Sequence, residues 1–171
     1  MASLSILCKG QMVKRNKATT RILTIGGFVA IGALVIIMVA LQIQTGRNND
    51  FKKSIDKIAL DVISLTGEYQ TEEGKWTKKQ YDNSTMISII NQYEPRYQAL
   101  IDRAKALDTP EKYETARDNL IKSVETEMQS NAHLRSYIET GSEAEYQKVV
   151  ELSSLSLQYG ADYDSAIKAA G

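Results

Sequence analysis

The residues able to do chemistry in this chain of 171 are few and scattered. His133 is the only histidine and Cys8 the only cysteine. A carboxylate-bridged di-metal bundle asks for Glu-x-x-His on facing helices, but Ser130 stands where the glutamate would be and there is no second histidine. Zinc needs about three or four nitrogen, sulfur or carboxylate ligands, and c-type haem attachment needs C-x-x-C-H; neither pattern occurs. An acyl-transfer triad would have His133 as its sole base, with Cys8 across a predicted membrane span. Glu125 and Glu127 are two apart, so on a helix they diverge by about 200° and do not flank one glycosidic bond by themselves. No Gly-rich phosphate loop is present. The expectation is a non-enzyme without metal or cofactor.

The aromatic residues carry more information. All nine tyrosines and the only tryptophan lie after residue 46. Tyrosine combines a large apolar body with a polar tip, which suits interfaces. Tyr93, Tyr97, Tyr113 and Tyr146 fall on helical stripes and are expected in seams, with their hydroxyls reaching water. Trp76, Tyr81, Tyr159 and Tyr163 fit the stripes less well and are the candidates for partner contact. Asn83-Ser84-Thr85 is an N-x-T acceptor sequence, which makes Asn83 the glycosylation candidate.

These residues must be positioned by the elements around them, beginning with a membrane span. Residues 22–46 hold no charged side chain, and the twenty residues from Ile22 to Leu41 reach about 30 Å as a helix, the depth of a bilayer's hydrocarbon core. Lys9, Lys14, Arg15, Lys17 and Arg21 precede it with no acidic residue, so the positive-inside rule puts residues 1–21 in the cytoplasm as a basic tail. Five of the 21 cations thus precede the span while all 21 acidic residues follow it, leaving a net charge of −5 for residues 47–171. A mildly acidic exported part argues against nucleic acid as a partner. The apolar stretch exceeds a signal-peptide core and ends in no clean A-x-A site, so it is expected to stay as an anchor. Gly26, Ala30, Ala33 and Ala40 share one stripe of it, where small side chains let another membrane helix, including a second copy of this one, approach closely.

After the span the apolar residues step by 4 and 3, the mark of amphipathic helices. The first series is Phe51, Ile55, Ile58, Val62, Leu65 and Tyr69, with Trp76 seven further on; Gly67 and Gly74 predict fraying beyond Tyr69. A second follows Asp82-Asn83-Ser84 through Met86, Ile90, Tyr93, Tyr97, Leu100, Ala104 and Leu107, and Pro95 predicts a kink near residues 91–94. Asp108-Thr109-Pro110-Glu111 predicts a stop, then a new helix capped by Thr109 with Pro110 in its first position. That helix carries Tyr113, Ala116, Leu120, Val124, Met128, Asn131 and Ile138 and ends at Gly141. Ser142 and Glu145 form a predicted capping box for a fourth, through Tyr146, Val150, Ser153, Leu157, Ala161 and Ile167. The fold expected is all-α: one N-terminal transmembrane helix, then an antiparallel up-down four-helix bundle over residues 47–171. Its stripes are rich in Tyr, Ala and Ser, so the core is expected to be thin.

Lys75-Trp76, Leu107-Asp108-Thr109-Pro110-Glu111-Lys112-Tyr113 and Tyr137-Ile138-Glu139-Thr140-Gly141-Ser142 resemble the helix ends of a loose class of small single-pass or secreted helical bundles of archaea and bacteria. The run Lys122-Ser123-Val124-Glu125-Thr126-Glu127-Met128-Gln129-Ser130 is similar to membrane proteins of ammonia-oxidising archaea. The resemblance implies the fold and transfers no site residue. Two functions follow as expectations: a non-catalytic accessory subunit that docks its small-residue stripe against the helices of other integral membrane subunits and its tyrosine-bearing bundle against their exported domains, or a stand-alone ligand-binding module similar to the four-helix sensory domain of chemoreceptors. A pilin-like subunit fits less well, because Gly10 is separated from the apolar stretch by four cations.

Overall fold

A computed structural model describes residues 50–170. They form four helices: α1 (Asp50–Thr77), α2 (Asn83–Lys105), α3 (Glu114–Thr140) and α4 (Glu143–Ala170). No strand occurs among the described residues. None of these helices is long and apolar enough to cross a membrane, and the predicted span, residues 22–46, lies outside the described residues together with the basic tail.

Each helix runs back along its predecessor. Arg96 pairs with Glu68 at 2.7 Å and Arg103 with Asp61 at 2.8 Å across α1 and α2, which fixes their antiparallel register. Lys105 to Glu125 and Arg135 to Asn91 do the same for α2 and α3. These are exposed pairs, worth about 0–1 kcal/mol each, so they select register more than they stabilise. Stability comes from two apolar clusters. The larger gathers Phe51, Ile55, Ile101, Leu120, Val124 and Ile167 at the end where α1 begins; the smaller gathers Tyr69, Met86, Ile90, Leu134 and Ile138 at the other end. Phe51 stacks on Tyr113 at 5.1 Å, and Tyr69 meets Tyr93 and Tyr97 edge-on.

Several local expectations are corrected. Instead of fraying beyond Tyr69, α1 runs on to Thr77, because Tyr81 and Lys75 both bind Glu72 and Trp76 Nε1 donates to Asn83 Oδ1 at 3.1 Å. At Pro95 the expectation of a continuing helix holds: the residue lies inside α2 on its exposed side. Pro110 does not start a helix directly but precedes a 3-10 turn, Glu111–Tyr113, and Thr109 turns its hydroxyl back to the carbonyl of Leu107. The capping box does not form: Glu145 takes His133 at 2.7 Å, and the Ser142 amide donates to Thr140 Oγ1. Gly141 ends α3 as expected, in the left-handed region at φ 69°, with its amide on the carbonyl of Tyr137.

The pairing of α3 and α4 is of a different kind. Ser123 Oγ donates to the carbonyl of Ser156 at 2.9 Å, and Ser156 Oγ returns the bond to the carbonyl of Ser123 at 2.9 Å. Two turns along, Ser130 Oγ reaches the Val149 carbonyl at 3.1 Å and Ser153 Oγ at 2.9 Å. A Cβ added at Gly160 would sit 3.6 Å from Ser123 Oγ. Small side chains let the backbones approach until hydroxyls bridge them directly. By contrast, no Cα of α1 comes within 8 Å of an α4 Cα. The two helices are joined at one end through Tyr163, whose hydroxyl donates to Asp56 at 3.2 Å, and toward the other a groove lies between them.

Candidate functional site

The groove between α1 and α4 has a volume of about 380 Å³, is floored by α3 and is closed at one end by the α1–α2 connection. Its α1 wall holds Thr66, Tyr69, Glu73 and Trp76; its floor holds Glu127, Ser130, Leu134 and Tyr137; its α4 wall holds Tyr146, Val149, Val150 and Ser153. Lys79 and Tyr81 stand at the connection. This volume is in the range of small-molecule sites, about 300–1,000 Å³.

Glu127 sits at the base, where the two apolar clusters meet. Tyr97 Oη donates to its Oε1 at 2.9 Å and Thr66 Oγ1 to its Oε2 at 3.0 Å, so three helices converge on one carboxyl group. Burial nevertheless lifts its pKa from 4.5 to about 7, outweighing those two bonds, which act to lower it. Glu73 is lifted from 4.5 to about 7 as well, first by burial and then by the charge of Glu127. Both keep some surface facing the groove, yet protein surrounds them closely enough to strip their hydration. The Glu73 carboxyl group and the Lys79 ammonium have no hydrogen-bond or ion-pair partner among the described residues. Tyr69 Oη is buried with no hydrogen-bond partner among them either, and the charges bearing on it are those of Glu73 and Glu127. A buried unpaired hydroxyl costs about 1–3 kcal/mol.

The aromatic rings around this pair are held from outside. Tyr81 Oη donates to Glu72 at 2.7 Å, Trp76 is tied to Asn83, and Tyr137 packs on Tyr146 with ring centroids 5.2 Å apart. With the polar tips of Tyr81 and Trp76 occupied elsewhere, the rings lend the groove apolar area.

The residues singled out in the sequence are not gathered on one surface. Trp76 and Tyr81 line the groove, half-buried. Tyr159 is half-buried on α4 with the Lys122 ammonium 5.7 Å from its ring centroid. Tyr163 is in the core at 4 % exposure. Asn83 is exposed as the first residue of α2, beside the capping Asp82. Gly26, Ala30, Ala33 and Ala40 lie outside the described residues. Tyr97, expected to reach water, is fully buried with its hydroxyl on Glu127. His133 belongs to the α3–α4 surface pair with Glu145 rather than to the groove, and no group of three metal-binding side chains occurs among the described residues.

Sequence reasoning missed Glu73 and Glu127, although a signal existed. Positions 62, 66, 69, 73 and 76 step by 4 and 3, as do 120, 123, 127, 130 and 134. Each glutamate therefore occupies a seam position where an apolar residue is the norm. Comparison with protein-family models, curated proteins and solved structures finds no match to this chain.

Proposed function

We propose that this chain is a ligand-binding module anchored by residues 22–46, with its antiparallel up-down bundle outside the cytoplasm and a small molecule held between α1 and α4. The observation that carries this reading is the groove: its walls are pre-formed, and its base holds polar groups left without protein partners. A fold that only needed to be stable gains nothing from two desolvated carboxyl groups and an orphan hydroxyl. The pair is assigned to binding rather than catalysis, since the aliphatic hydroxyls beside it are already committed: Thr66 Oγ1 donates to Glu127, and Ser130 Oγ and Ser156 Oγ donate to backbone carbonyls of the α3–α4 seam. The accessory-subunit reading draws on the small-residue stripe of residues 22–46; the described surface offers it Leu60 alone as an exposed large hydrophobic side chain.

The test is thermal denaturation of the full chain in a neutral detergent against a library of amines, alcohols, sugars and carboxylates. Some compound raises the melting temperature, and Val150→Trp, which fills the groove from the α4 wall, removes that shift while the variant itself melts cooperatively. A library without effect, or a shift that V150W leaves intact, refutes the groove as a binding site.

A further inference from the structure

We infer that the groove selects an organic cation, an ammonium group carrying an apolar body, with Glu73 and Glu127 receiving the charge and the aromatic walls the body. This inference rests on the ligand-binding reading and names its chemistry. Glu73 faces the cavity with no donor on it, and Tyr69 Oη beside it makes no bond within the protein. An ammonium brings two or three N–H donors, enough to satisfy Glu73 and Tyr69 Oη together. Among the described residues no cation does this: Lys79, at the end of the groove, forms no ion pair with either glutamate, and Lys75 is held outside by Glu72. Trp76, Tyr81 and Tyr146 present ring surface, and a cation over such a face is attracted by its quadrupole. A metal ion is a poorer fit to this donor set, because two carboxylates without a third ligand leave most of its coordination sphere unfilled. An anion is opposed by both glutamates.

The arriving charge also favours the ionised form of the pair. The titratable and charged groups facing it are Tyr69 on α1, Tyr97 on α2, Tyr137 on α3, Tyr146 on α4, and Lys79 and Tyr81 in the connection. The two glutamates, each with its pKa at about 7, lose their protons near neutrality. Cation binding therefore releases protons below that pH and tightens as the pH rises through it.

The experiment compares 2-phenylethylammonium, 2-phenylethanol and 3-phenylpropionate, similar in shape and different in charge, by calorimetry on the full chain in neutral detergent. The cation is expected to bind at least about tenfold more tightly than the other two, with protons released to the buffer. Glu73→Gln is expected to weaken it roughly 10–100-fold, the worth of a charge-assisted bond, and to leave the alcohol unchanged. The alcohol or the carboxylate binding as tightly as the cation, or E73Q having no effect, overturns the charge assignment; if that binding is still lost in V150W, the groove reading survives it. No binding by any of the three, while another library compound binds in a V150W-sensitive way, likewise overturns the cation and spares the groove.

Discussion

Raising the pH from 5 to 8 should destabilise this bundle, the reverse of what carboxylates in ion pairs do. Glu73 and Glu127 titrate near 4.5 in the unfolded chain and at about 7 in the folded one. Below pH 4.5 both states hold the protons and nothing is lost. Between 4.5 and 7 the unfolded chain releases them and the folded one does not, so folding becomes progressively less favourable; above 7 the full loss is in place. Each shift corresponds to about 3 kcal/mol, and the pair to at most twice that, against a total stability of about 5–15 kcal/mol. Asp56, also raised by burial, acts with the same sign. Glu72 and Asp82, whose pKa values are lowered by their hydrogen bonds, contribute stability that is present above their unfolded pKa values and lost as the pH falls through the folded ones. Urea denaturation of the full chain in neutral detergent at pH 5, 6, 7 and 8 measures the effect. Glu73→Gln should raise stability at pH 8 by about 2–3 kcal/mol and leave it nearly unchanged at pH 5. The double variant E73Q/E127Q should flatten the profile. A wild-type profile that is flat or rises with pH, or a double variant that keeps the slope, refutes the account of the two carboxyl groups.

Tyr97→Phe removes the donor that opposes the desolvation of Glu127, so it should steepen the same pH profile, seen as a larger loss between pH 5 and 8 than in the wild type. Ser156→Val leaves the Ser123 carbonyl without its hydroxyl and adds a methyl group where two backbones nearly touch; a loss of about 1–3 kcal/mol in urea denaturation is expected. Gly67→Ala meets nothing within 4 Å of its new Cβ and should gain about 1 kcal/mol, read as a higher urea midpoint at an unchanged slope. Gly141→Ala, at φ 69°, should instead cost about 1 kcal/mol in the same assay.

The helices were legible because their apolar spacing is strict: Phe51, Ile55, Ile58, Val62, Leu65 and Tyr69 are all buried, as are Met86, Ile90, Tyr97, Leu100 and Ala104. The fourth helix was legible in extent but only partly in orientation. Of the stripe expected through Tyr146, Val150, Ser153, Leu157, Ala161 and Ile167, Ser153 and Ile167 lie on the packed face while Val150, Leu157 and Ala161 fall beside it; that face runs Val149, Ser153, Ser156, Gly160, Tyr163 and Ile167, also in steps of 4 and 3. Hydropathy overlooks such a face because serine and glycine carry little apolar area, while their value here is close approach and hydroxyl bonding. The site was hidden for a related reason. Glu73 adjoins Glu72 and Glu127 follows Glu125, so each reads as part of a solvated charged run, and only the register of its helix separates it from its neighbour. Nothing in one helix's sequence tells that α1 and α4 part company, since a groove is a property of two elements and the space between them.

Ser130, Ser153 and Ser156 serve two surfaces at once, fastening α3 to α4 on one side and lining the groove on the other. The calibre of the opening is therefore set from underneath. One added methylene along that line shifts α4 relative to its neighbour and changes the gap to α1 by a fraction of an ångström, without touching a side chain on the opposing wall. On the ligand-binding reading, selectivity in such an architecture can drift through its most unassuming residues, while the conspicuous aromatic ones stay as they are.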